Sequence, residues 1–367
     1  MNIQLAQSSL LWGLNIVSKV VPSSSPMPIL TGVLIETWKG AARLTATDLE
    51  SAAQCTIPAR IMQEGAAVLP LKVFSELVRK LPPHEITLSL RENEMVAITW
   101  EKAQYNLNGF RPDEFPRMMM VDRERGVEVP AKTLIEMIKS TVFAAASSEE
   151  RNISLTGVLV QIKQGKLTMA TCDGIRIACI SRDIDYGDEE CEFIVPAKVM
   201  HEVARLASGL DDTEVKVFFT ENQVLFDINS VLLASRLIDG RFPNYQQIIP
   251  NHCCTSITLD SNEFFAACER AALVPREGAN YIRLQFSESG VVITSAASSV
   301  GTVYEEVPGE LTGEPLDISF NPRFLLDGLK VVLGKPVVFE GTGPSSIARI
   351  SSPEFRDFFY LVLPLRR

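Results

Sequence analysis

Three stretches share one pattern and decide the fold: VLPLKVFSELVRKLP (68–82), IVPAKVMHEVARLAS (194–208) and ISFNPRFLLDGLKVV (318–332). Each begins with a short apolar run, typical of a strand, and continues with the three- and four-residue apolar spacing of an amphipathic helix. The residues at the strand ends, Pro70, Pro196 and Phe320, are 126 and 124 residues apart. This spacing indicates that one structural unit occurs three times along the chain.

Other elements recur at nearly the same interval. The strand-like segments are GVLIET (32–37), GVLVQI (157–162) and YIRLQF (281–286), and the apolar spacing predicts a first helix for each repeat over 9–21, 132–145 and 262–274. Most of the remaining sequence alternates β-branched and polar residues between Gly, Asn and Asp, which predicts antiparallel hairpins. We therefore predict an α+β fold of three tandem similar domains, each with two helices and antiparallel sheets, over residues 1–125, 126–253 and 254–367.

The composition is that of a globular protein. Of the 367 residues, 46% are hydrophobic and 22% are charged, which excludes a disordered, collagen-like or coiled-coil chain. The net charge of −10 argues against a uniformly basic nucleic-acid binder. The seven cysteines form no CxxC pair, the first residues do not resemble a secretion signal, and no run of 18 apolar residues occurs. These features predict a cytoplasmic protein with reduced thiols.

The sequence shows few of the residue arrangements that enzyme active sites need. The three histidines have no metal-ligand spacing, and GTGPSS (341–346) lacks the lysine of a phosphate-binding loop. We therefore expect neither a metal nor a cofactor. Asp48 and Asp173 hold matching places in two repeats, and an Asp in a turn commonly caps its own backbone. One alternative is a carboxylate hydrolase that uses one of these two residues, and another is a purely structural scaffold of three modules.

The six predicted helices are basic although the whole chain is acidic. The net charge is +6 when it is counted over 8–21, 71–81, 131–145, 197–207, 262–276 and 322–332, so the rest of the chain carries −16. Such an asymmetry is typical of a basic lining within an acidic body, and flexible Lys and Arg side chains contact phosphates without reading bases. The sequence thus favours sequence-independent binding to duplex DNA. The contributing residues are Lys19, Lys72, Arg79, Lys80, Lys132, Lys139, Lys198, Arg205, Arg323 and Lys330.

Seven motifs carry a resemblance to a known family across essentially the whole chain. They are LTATDLES (44–51), RPDEFPRM (111–118), ATCDGIRIA (170–178), SRLIDGRFPNYQQIIP (235–250), ERAALVP (269–275), FNPRFLLDGL (320–329) and YLVLPLRR (360–367). In this order they resemble the beta subunit of bacterial DNA polymerase III, the sliding clamp family. The resemblance implies the DNA clamp fold, a non-enzymatic head-to-tail homodimer that forms a ring around double-stranded DNA. It also implies as partners the replicative polymerase subunit, a clamp loader, and other polymerases and repair proteins that bind through short peptide motifs.

The resemblance further implies a peptide-binding slot between the second and third domains and at the C-terminus. Aliphatic side chains and Pro would take apolar anchors there, and Arg176 and Arg366 would hold acidic or polar partner groups. Two positions depart from the family, because Ile175 stands where relatives often have His and Cys172 where Thr is usual. The implied residues are Leu155, Cys172, Gly174, Ile175, Arg176, Ile177, Pro243, Ile248, Asn321, Phe324, Ser346, Leu361, Val362, Leu363, Pro364, Leu365 and Arg366.

The remaining implied contacts are to DNA and to a second copy. PSSSPMP (22–28) has no Arg where some relatives use one against DNA, and in the loop near residue 150 we expect only Arg151 to reach a phosphate. The implied dimer contact joins an edge of the first domain to an edge of the third. Its candidates are Tyr105, Leu107 and Leu273, with Glu305 and Glu306 facing basic groups such as Lys102.

Overall fold

The structure is a computed structural model that describes residues 1–118, 121, 123, 126–147, 149–186, 190–210, 213–250, 252–274, 281–297 and 301–365. Within these ranges the chain forms six α-helices and 25 β-strands. The helices are α1 (Gln7–Val17), α2 (Leu71–Lys80), α3 (Ala131–Thr141), α4 (Ala197–Ala207), α5 (Ser261–Ala271) and α6 (Pro322–Val331). The strands are β1 (Asn2–Ala6), β2 (Gly32–Trp38), β3 (Ala41–Thr47), β4 (Ser51–Pro58), β5 (Arg60–Gln63), β6 (Ala66–Pro70), β7 (Glu85–Leu90), β8 (Met95–Trp100), β9 (Ala103–Asn108), β10 (Gly126–Pro130), β11 (Gly157–Lys163), β12 (Lys166–Cys172), β13 (Arg176–Asp183), β14 (Cys191–Pro196), β15 (Glu214–Phe219), β16 (Gln223–Ile228), β17 (Val231–Arg236), β18 (Thr255–Asp260), β19 (Ile282–Ser287), β20 (Gly290–Ala297), β21 (Gly301–Gly313), β22 (Leu316–Phe320), β23 (Pro336–Gly341), β24 (Ala348–Ser351) and β25 (Phe358–Val362).

All six helices are short, and capping sets some of their ends. Asp260 accepts hydrogen bonds from the amides of Asn262 and Glu263, so α5 begins one residue before the predicted segment. The first helix ends at Val17, which places Lys19 in the following turn, so the prediction that Lys19 is a helical residue is wrong. The longest helices have 11 residues, and none within the described ranges is long and apolar enough to cross a membrane.

The strands form three antiparallel sheets. One has five strands in the order β5-β1-β7-β8-β9, one has eight in the order β10-β15-β16-β17-β4-β3-β2-β6, and one has twelve in the order β14-β11-β12-β13-β25-β24-β23-β18-β21-β20-β19-β22. The general prediction of antiparallel hairpins is confirmed, for example by β7–β8, β15–β16 and β23–β24. Two long sheets extend across the predicted repeats because β17 pairs with β4 and β13 pairs with β25.

The chain divides into two compact units, Met1–Leu134 with Glu202–Leu237 and Ile135–His201 with Ile238–Arg367. In the first unit α1 packs against α2 and β4. In the second unit α5 packs against α6 and β21, and α6 packs on β25. The amphipathic pattern of these four helices thus reflects an apolar face that is buried against a neighbouring helix or sheet.

A glycine allows α6 to lie close to its sheet. A Cβ atom at Gly328 would lie 2.3 Å from the ring of Tyr360, which is fully buried on β25. Because no side chain larger than hydrogen fits there, Gly328 sets how closely α6 approaches the sheet. The Tyr360 hydroxyl also donates to the carbonyl oxygen of Phe324 at 2.8 Å, which holds α6 against the sheet.

Candidate functional site

The turn between β12 and β13 presents several of the implied slot residues. Asp173 accepts hydrogen bonds through Oδ1 from the amides of Ile175 and Arg176, at 3.0 and 2.9 Å. Gly174, with a φ of +86°, supplies the left-handed conformation at the tip of the turn. Ile175 is 43% exposed, so the turn presents an apolar side chain at the surface.

The first repeat builds the same turn around Asp48. Its Oδ1 atom accepts from the amides of Glu50 and Ser51 at 3.0 and 2.6 Å, and Leu49 takes the left-handed conformation that Gly174 has in the second repeat. The prediction that Asp48 and Asp173 cap their own backbones is therefore confirmed. Among the described residues no group of three or more His, Cys, Asp or Glu side chains lies close enough together to hold a metal ion.

Arg176 is buried at the base of the turn, and each nitrogen of its guanidinium has a partner inside the protein. Nε donates to Asp173 Oδ2 at 2.9 Å, Nη1 to Asp327 Oδ2 at 2.6 Å and Nη2 to the carbonyl oxygen of Phe143 at 2.9 Å. The guanidinium carbon also lies 4.6 Å from the centre of the Phe324 ring. The expectation that Arg176 holds an acidic or polar partner group stays a prediction, and in this geometry two internal carboxylates and a backbone carbonyl already bind the guanidinium.

Four of the implied residues lie in or against one apolar cluster, which we call the floor. Cys172, Ile177 and Leu361 are buried in it, and Leu155 packs against it while remaining partly exposed. Strand register explains the arrangement, since Ile177 and Leu361 are direct partners on β13 and β25. The floor comprises Leu159, Ala170, Cys172, Ile177, Cys179, Ile194, Tyr245 and Leu361.

Exposed aliphatic side chains lie on the segments that border the floor. Besides Ile175, they are Ile248 at 44%, Leu363 at 42% and Leu365 at 39% exposure. Ile248 ends a 3₁₀ helix that begins at Tyr245, whose side chain is part of the floor. Exposed large aliphatic residues near a buried apolar cluster are typical of a surface that binds apolar side chains of a partner.

The C-terminal segment is fixed after its strand ends. The Leu363 amide donates to the carbonyl oxygen of Ile175 at 2.9 Å, and the Leu365 amide donates to the carbonyl oxygen of Ser319 at 2.8 Å. Pro364 between them is buried. The segment leaves the ladder before Pro364, as predicted, but two backbone hydrogen bonds hold it in place. Arg366, the last implied slot residue, lies outside the described residues.

The other implied slot residues serve local structure. Asn321 caps α6 by accepting from the Arg323 amide at 3.0 Å, and Phe324 is half-buried on the same helix beside Arg176. Pro243 is half-buried and precedes the 3₁₀ helix that contains Tyr245, while the Ser346 amide closes the turn between β23 and β24. Val362 is fully buried opposite Arg176 in the β13–β25 ladder.

Burial makes the two thiols of the floor poor nucleophiles. It raises the pKa of Cys179 to about 12, and it also raises the pKa of the Cys172 thiol. The Sγ atom of Cys179 lies 3.7 Å from the hydroxyl of Tyr245, and burial raises the pKa of that hydroxyl as well. These groups stay neutral at physiological pH, so the floor is uncharged.

The predicted basic residues are exposed, and on four helices they form pairs seven residues apart. Residues at this spacing lie on one helix face, two turns apart. Arg205 forms an ion pair with Glu202 of the same helix at 2.7 Å. Lys80 and Arg151 are exposed as well. The pairs are Lys72 with Arg79, Lys132 with Lys139, Lys198 with Arg205, and Arg323 with Lys330.

The residues predicted for the dimer contact lie on exposed strand edges or beside them. Tyr105, 49% exposed, and the half-buried Leu107 are on β9, an edge strand of the five-stranded sheet. Leu273, 74% exposed, follows α5. In the described part of the chain, the first half of β21 has a strand partner on one side, because β18 pairs with the second half, Gly309–Gly313.

The two glutamates of the implied dimer contact already have partners within the chain. Arg270 donates to both carboxylate oxygens of Glu305 at 2.6 Å, and these hydrogen bonds hold the pKa of Glu305 below its ordinary value. Glu306 accepts from the hydroxyl of Tyr304. Glu305 therefore has a basic partner in its own chain, and a contact of Glu305 or Glu306 with Lys102 of a second copy stays a prediction.

Comparison with known proteins accounts for almost the whole chain. Models of the DNA polymerase III beta subunit match in order, the N-terminal domain at residues 1–119, the central domain at 128–244 and the C-terminal domain at 246–366. The chain belongs to this family. It is 34% identical to the beta sliding clamp of Halalkalibacterium halodurans over 96% of both chains, and 33% identical to that of Bacillus subtilis over 95% of both.

Solved sliding clamps share the fold. The crystal structure of the DNA polymerase sliding clamp from Bacillus subtilis superposes with a TM-score of 0.96 at 31% identity, and it covers 100% of this chain and 99% of that chain. A sliding clamp from Pseudomonas aeruginosa bound to griselimycin superposes with a TM-score of 0.94 at 26% identity, with full coverage of both chains. The resemblance that the seven motifs indicated is confirmed, and with it an α+β fold of three clamp domains.

Membership of the beta sliding clamp family settles the class of function. The chain is a DNA sliding clamp, a processivity factor without catalytic activity of its own. The hydrolase alternative is therefore wrong, and both aspartates that suggested it are turn residues.

Sequence reasoning missed one residue of the slot region, Asp327. It lies inside the motif FNPRFLLDGL and interrupts the apolar face of α6, next to the buried Leu325 and Gly328. A carboxylate on the buried side of an amphipathic helix needs a cationic partner, and that partner is Arg176. The signal was present in the sequence, but the partner is 151 residues away along the chain.

Proposed function

We propose that two copies of this chain close into a ring around double-stranded DNA and hold the replicative polymerase on it. A clamp loader would open the ring, and other polymerases and repair proteins would bind through short peptide motifs. The family match over the whole chain supports this proposal. We also propose the domain limits 1–125, 126–253 and 254–367 and a cytoplasmic location, where chromosomal DNA is replicated.

The exposed basic pairs are the observation that carries the DNA contact. They occur in every repeat, on α2, α3, α4 and α6. Lys and Arg side chains on a helix face attract phosphates without recognising sequence, which suits a protein that moves along the duplex. The residues that we propose to contact DNA are Lys19, Lys72, Arg79, Lys80, Lys132, Lys139, Arg151, Lys198 and Arg205, with Lys19 on a turn.

Salt dependence of binding to linear duplex tests this contact. The variant Lys72→Ala/Arg79→Ala removes one pair, and we expect the slope of log K against log salt to fall by about 0.9 for each phosphate that the variant no longer neutralises. The control is Lys163→Ala/Lys166→Ala, which removes two half-exposed lysines of the β11–β12 hairpin that have acidic partners. A slope that falls equally in both variants would assign the binding to general charge and not to the helix faces.

The peptide contact is proposed for the surface above the floor. Ile175, Ile248, Leu363 and Leu365 supply exposed aliphatic area, and the buried floor beneath them is uncharged. One or two apolar anchors buried there would each contribute about 1.5–3 kcal/mol before ordering costs, consistent with exchangeable micromolar binding. Because Ile175 replaces the histidine common in relatives, we expect this chain to prefer an apolar residue at the partner position that faces the turn.

The dimer contact is proposed between β9 of one copy and the first half of β21 of the other. Both strands have an open edge in the described structure, and open edges pair readily with a strand of another chain. Tyr105, Leu107 and Leu273 supply apolar area near these edges. Such a head-to-tail contact closes a ring when the same contact occurs twice.

A further inference from the structure

The ion cluster at Arg176 joins two segments that are far apart in sequence. Asp173 belongs to the β12–β13 turn, and Asp327 belongs to α6. The side chains of Arg176, Asp173 and Asp327 are 6%, 15% and 24% exposed, so the cluster is largely removed from water. In such surroundings a guanidinium with two carboxylate partners is strongly held in one position.

The position of Asp327 follows from the packing of its helix. Gly328 lets α6 lie against the ring of Tyr360, and the Tyr360 hydroxyl binds the carbonyl oxygen of Phe324. These contacts fix the helix turn on which Asp327 lies. The Asp327 carboxylate therefore lies on a rigid helix turn, and its Oδ2 atom is 2.6 Å from Nη1 of Arg176.

The Arg176 backbone is part of the surface that the partner peptide would meet. Its amide donates a hydrogen bond to Asp173. The carbonyl group of Ile175, the preceding residue, accepts a hydrogen bond from the amide of Leu363. Movement of Arg176 would therefore shift Ile175 and release Leu363, two of the exposed aliphatic residues. The local net charge of the three side chains is −1, which repels an acidic partner group rather than attracting it.

We propose that Arg176 is a positioning residue and that Asp327 anchors it, so that their ion pair holds Ile175 and Leu363 in the geometry that accepts a peptide. This inference rests on the proposed peptide-binding function of the surface. A direct contact between Arg176 and a partner carboxylate would give Asp327 the opposite effect on peptide affinity. In that case Asp327 competes with the partner, and its removal strengthens the binding of an acidic peptide.

The decisive variant is therefore Asp327→Asn in the full-length protein. Fluorescence polarisation would use two labelled polymerase-derived peptides that differ by a single Glu-to-Gln change. We expect both peptides to bind about tenfold more weakly, and by the same factor, because loss of the ion pair loosens the surface for either peptide. Unchanged affinity, or tighter binding of the acidic peptide alone, would overturn the proposal.

Matched variants separate positioning from general damage. Glu136→Gln removes a helix carboxylate that binds Arg182, another arginine of β13, at 2.6–2.8 Å, and should leave peptide affinity unchanged. Arg176→Lys keeps a positive charge but loses the planar fork that binds two carboxylates, so it should weaken both peptides as Asp327→Asn does. Retained affinity in Arg176→Lys would contradict positioning, even if Asp327→Asn failed to fold.

Hydrogen exchange gives a readout that does not depend on the peptide. In Asp327→Asn we expect faster exchange at the Leu363 amide, with unchanged exchange in the β11–β12 hairpin. Absence of peptide binding to the unmodified protein would refute the proposed function of the surface. The exchange rate at Leu363 would still decide the positioning role, since an unchanged rate would refute it.

Discussion

The Leu363 amide donates a hydrogen bond of 2.9 Å to the carbonyl oxygen of Ile175. This bond joins the C-terminal segment to the turn of the second repeat, and both side chains remain more than 40% exposed. A second bond, from the Leu365 amide to Ser319, fixes the segment on its other side. The segment 363–365 is thus held in place and forms one wall of the proposed peptide surface.

Removal of Leu363–Arg367 should abolish binding of a polymerase-derived peptide. The deletion removes two exposed leucines and both backbone hydrogen bonds of the segment. Fluorescence polarisation with a labelled peptide measures the loss, and light scattering checks that the dimer persists. Deletion of Arg366 and Arg367 alone is the control and should retain measurable binding. Unchanged affinity after the longer deletion would refute the site, and loss of the dimer would make the segment structural.

We predict a homodimer of about 81 kDa, twice the 40.5 kDa of one chain, that Leu273→Asp converts to monomers. A charge at this position would be buried without a partner in the proposed contact. Leu333→Asp is a matched control, because Leu333 follows α6 by two residues as Leu273 follows α5. Light scattering at micromolar concentration measures both. The proposed dimer contact would be contradicted if the unmodified protein were monomeric, or if Leu333→Asp dissociated the dimer and Leu273→Asp did not.

Gly328→Ala should destabilise the protein by about 1–3 kcal/mol, because the added methyl group overlaps the ring of Tyr360 at 2.3 Å. Gly13→Ala is the comparison within α1, where the new atom would meet side-chain atoms of Leu44, Cys55 and Ile57 at 3.1–3.3 Å. Because those neighbours can move slightly and Ala favours helix, its cost should be smaller. Urea unfolding of the two variants gives the ranking, and equal costs would contradict the account of α6 packing.

Thiol reactivity should follow burial. Cys254 is exposed, whereas burial raises the pKa of Cys55 to about 12 and that of Cys179 to about 12. Since the thiolate is the reactive form, at pH 8 only about one in ten thousand of the buried groups is ionised. Ellman's reagent should therefore modify Cys254 quickly, and Cys55 and Cys179 only after denaturation. The same number of rapidly reacting thiols in Cys254→Ser as in the unmodified protein would contradict this order.

The sequence was sufficient for the repeated unit because its signals are local. The strand-helix pairs at 68–82, 194–208 and 318–332 appear in the structure as β6–α2, β14–α4 and β22–α6. The turn role of Asp173 was likewise readable, since its hydrogen bonds reach only two and three residues ahead.

Long-range partners could not be read from the same signals. Pairing of β13 with β25 joins residues about 180 positions apart, and no local pattern specifies that register. For the same reason the sequence does not reveal that Arg176 binds Asp327, which is 151 residues away. The resemblance implied a contact with a binding partner instead. The resemblance supplied which residues lie near the slot, but not which of them have their charges neutralised inside the protein.

Retention on DNA of different topology tests the central claim most directly. Labelled protein is loaded onto nicked circular duplex by a clamp loader with ATP, and the bound fraction is followed before and after a restriction enzyme linearises the circle. The basic helix faces supply only weak, salt-sensitive attraction, so persistence must come from encirclement. We predict durable retention on the circle and rapid release once it is linear. Equal rates of loss from circular and linear DNA would contradict a ring that encloses the duplex.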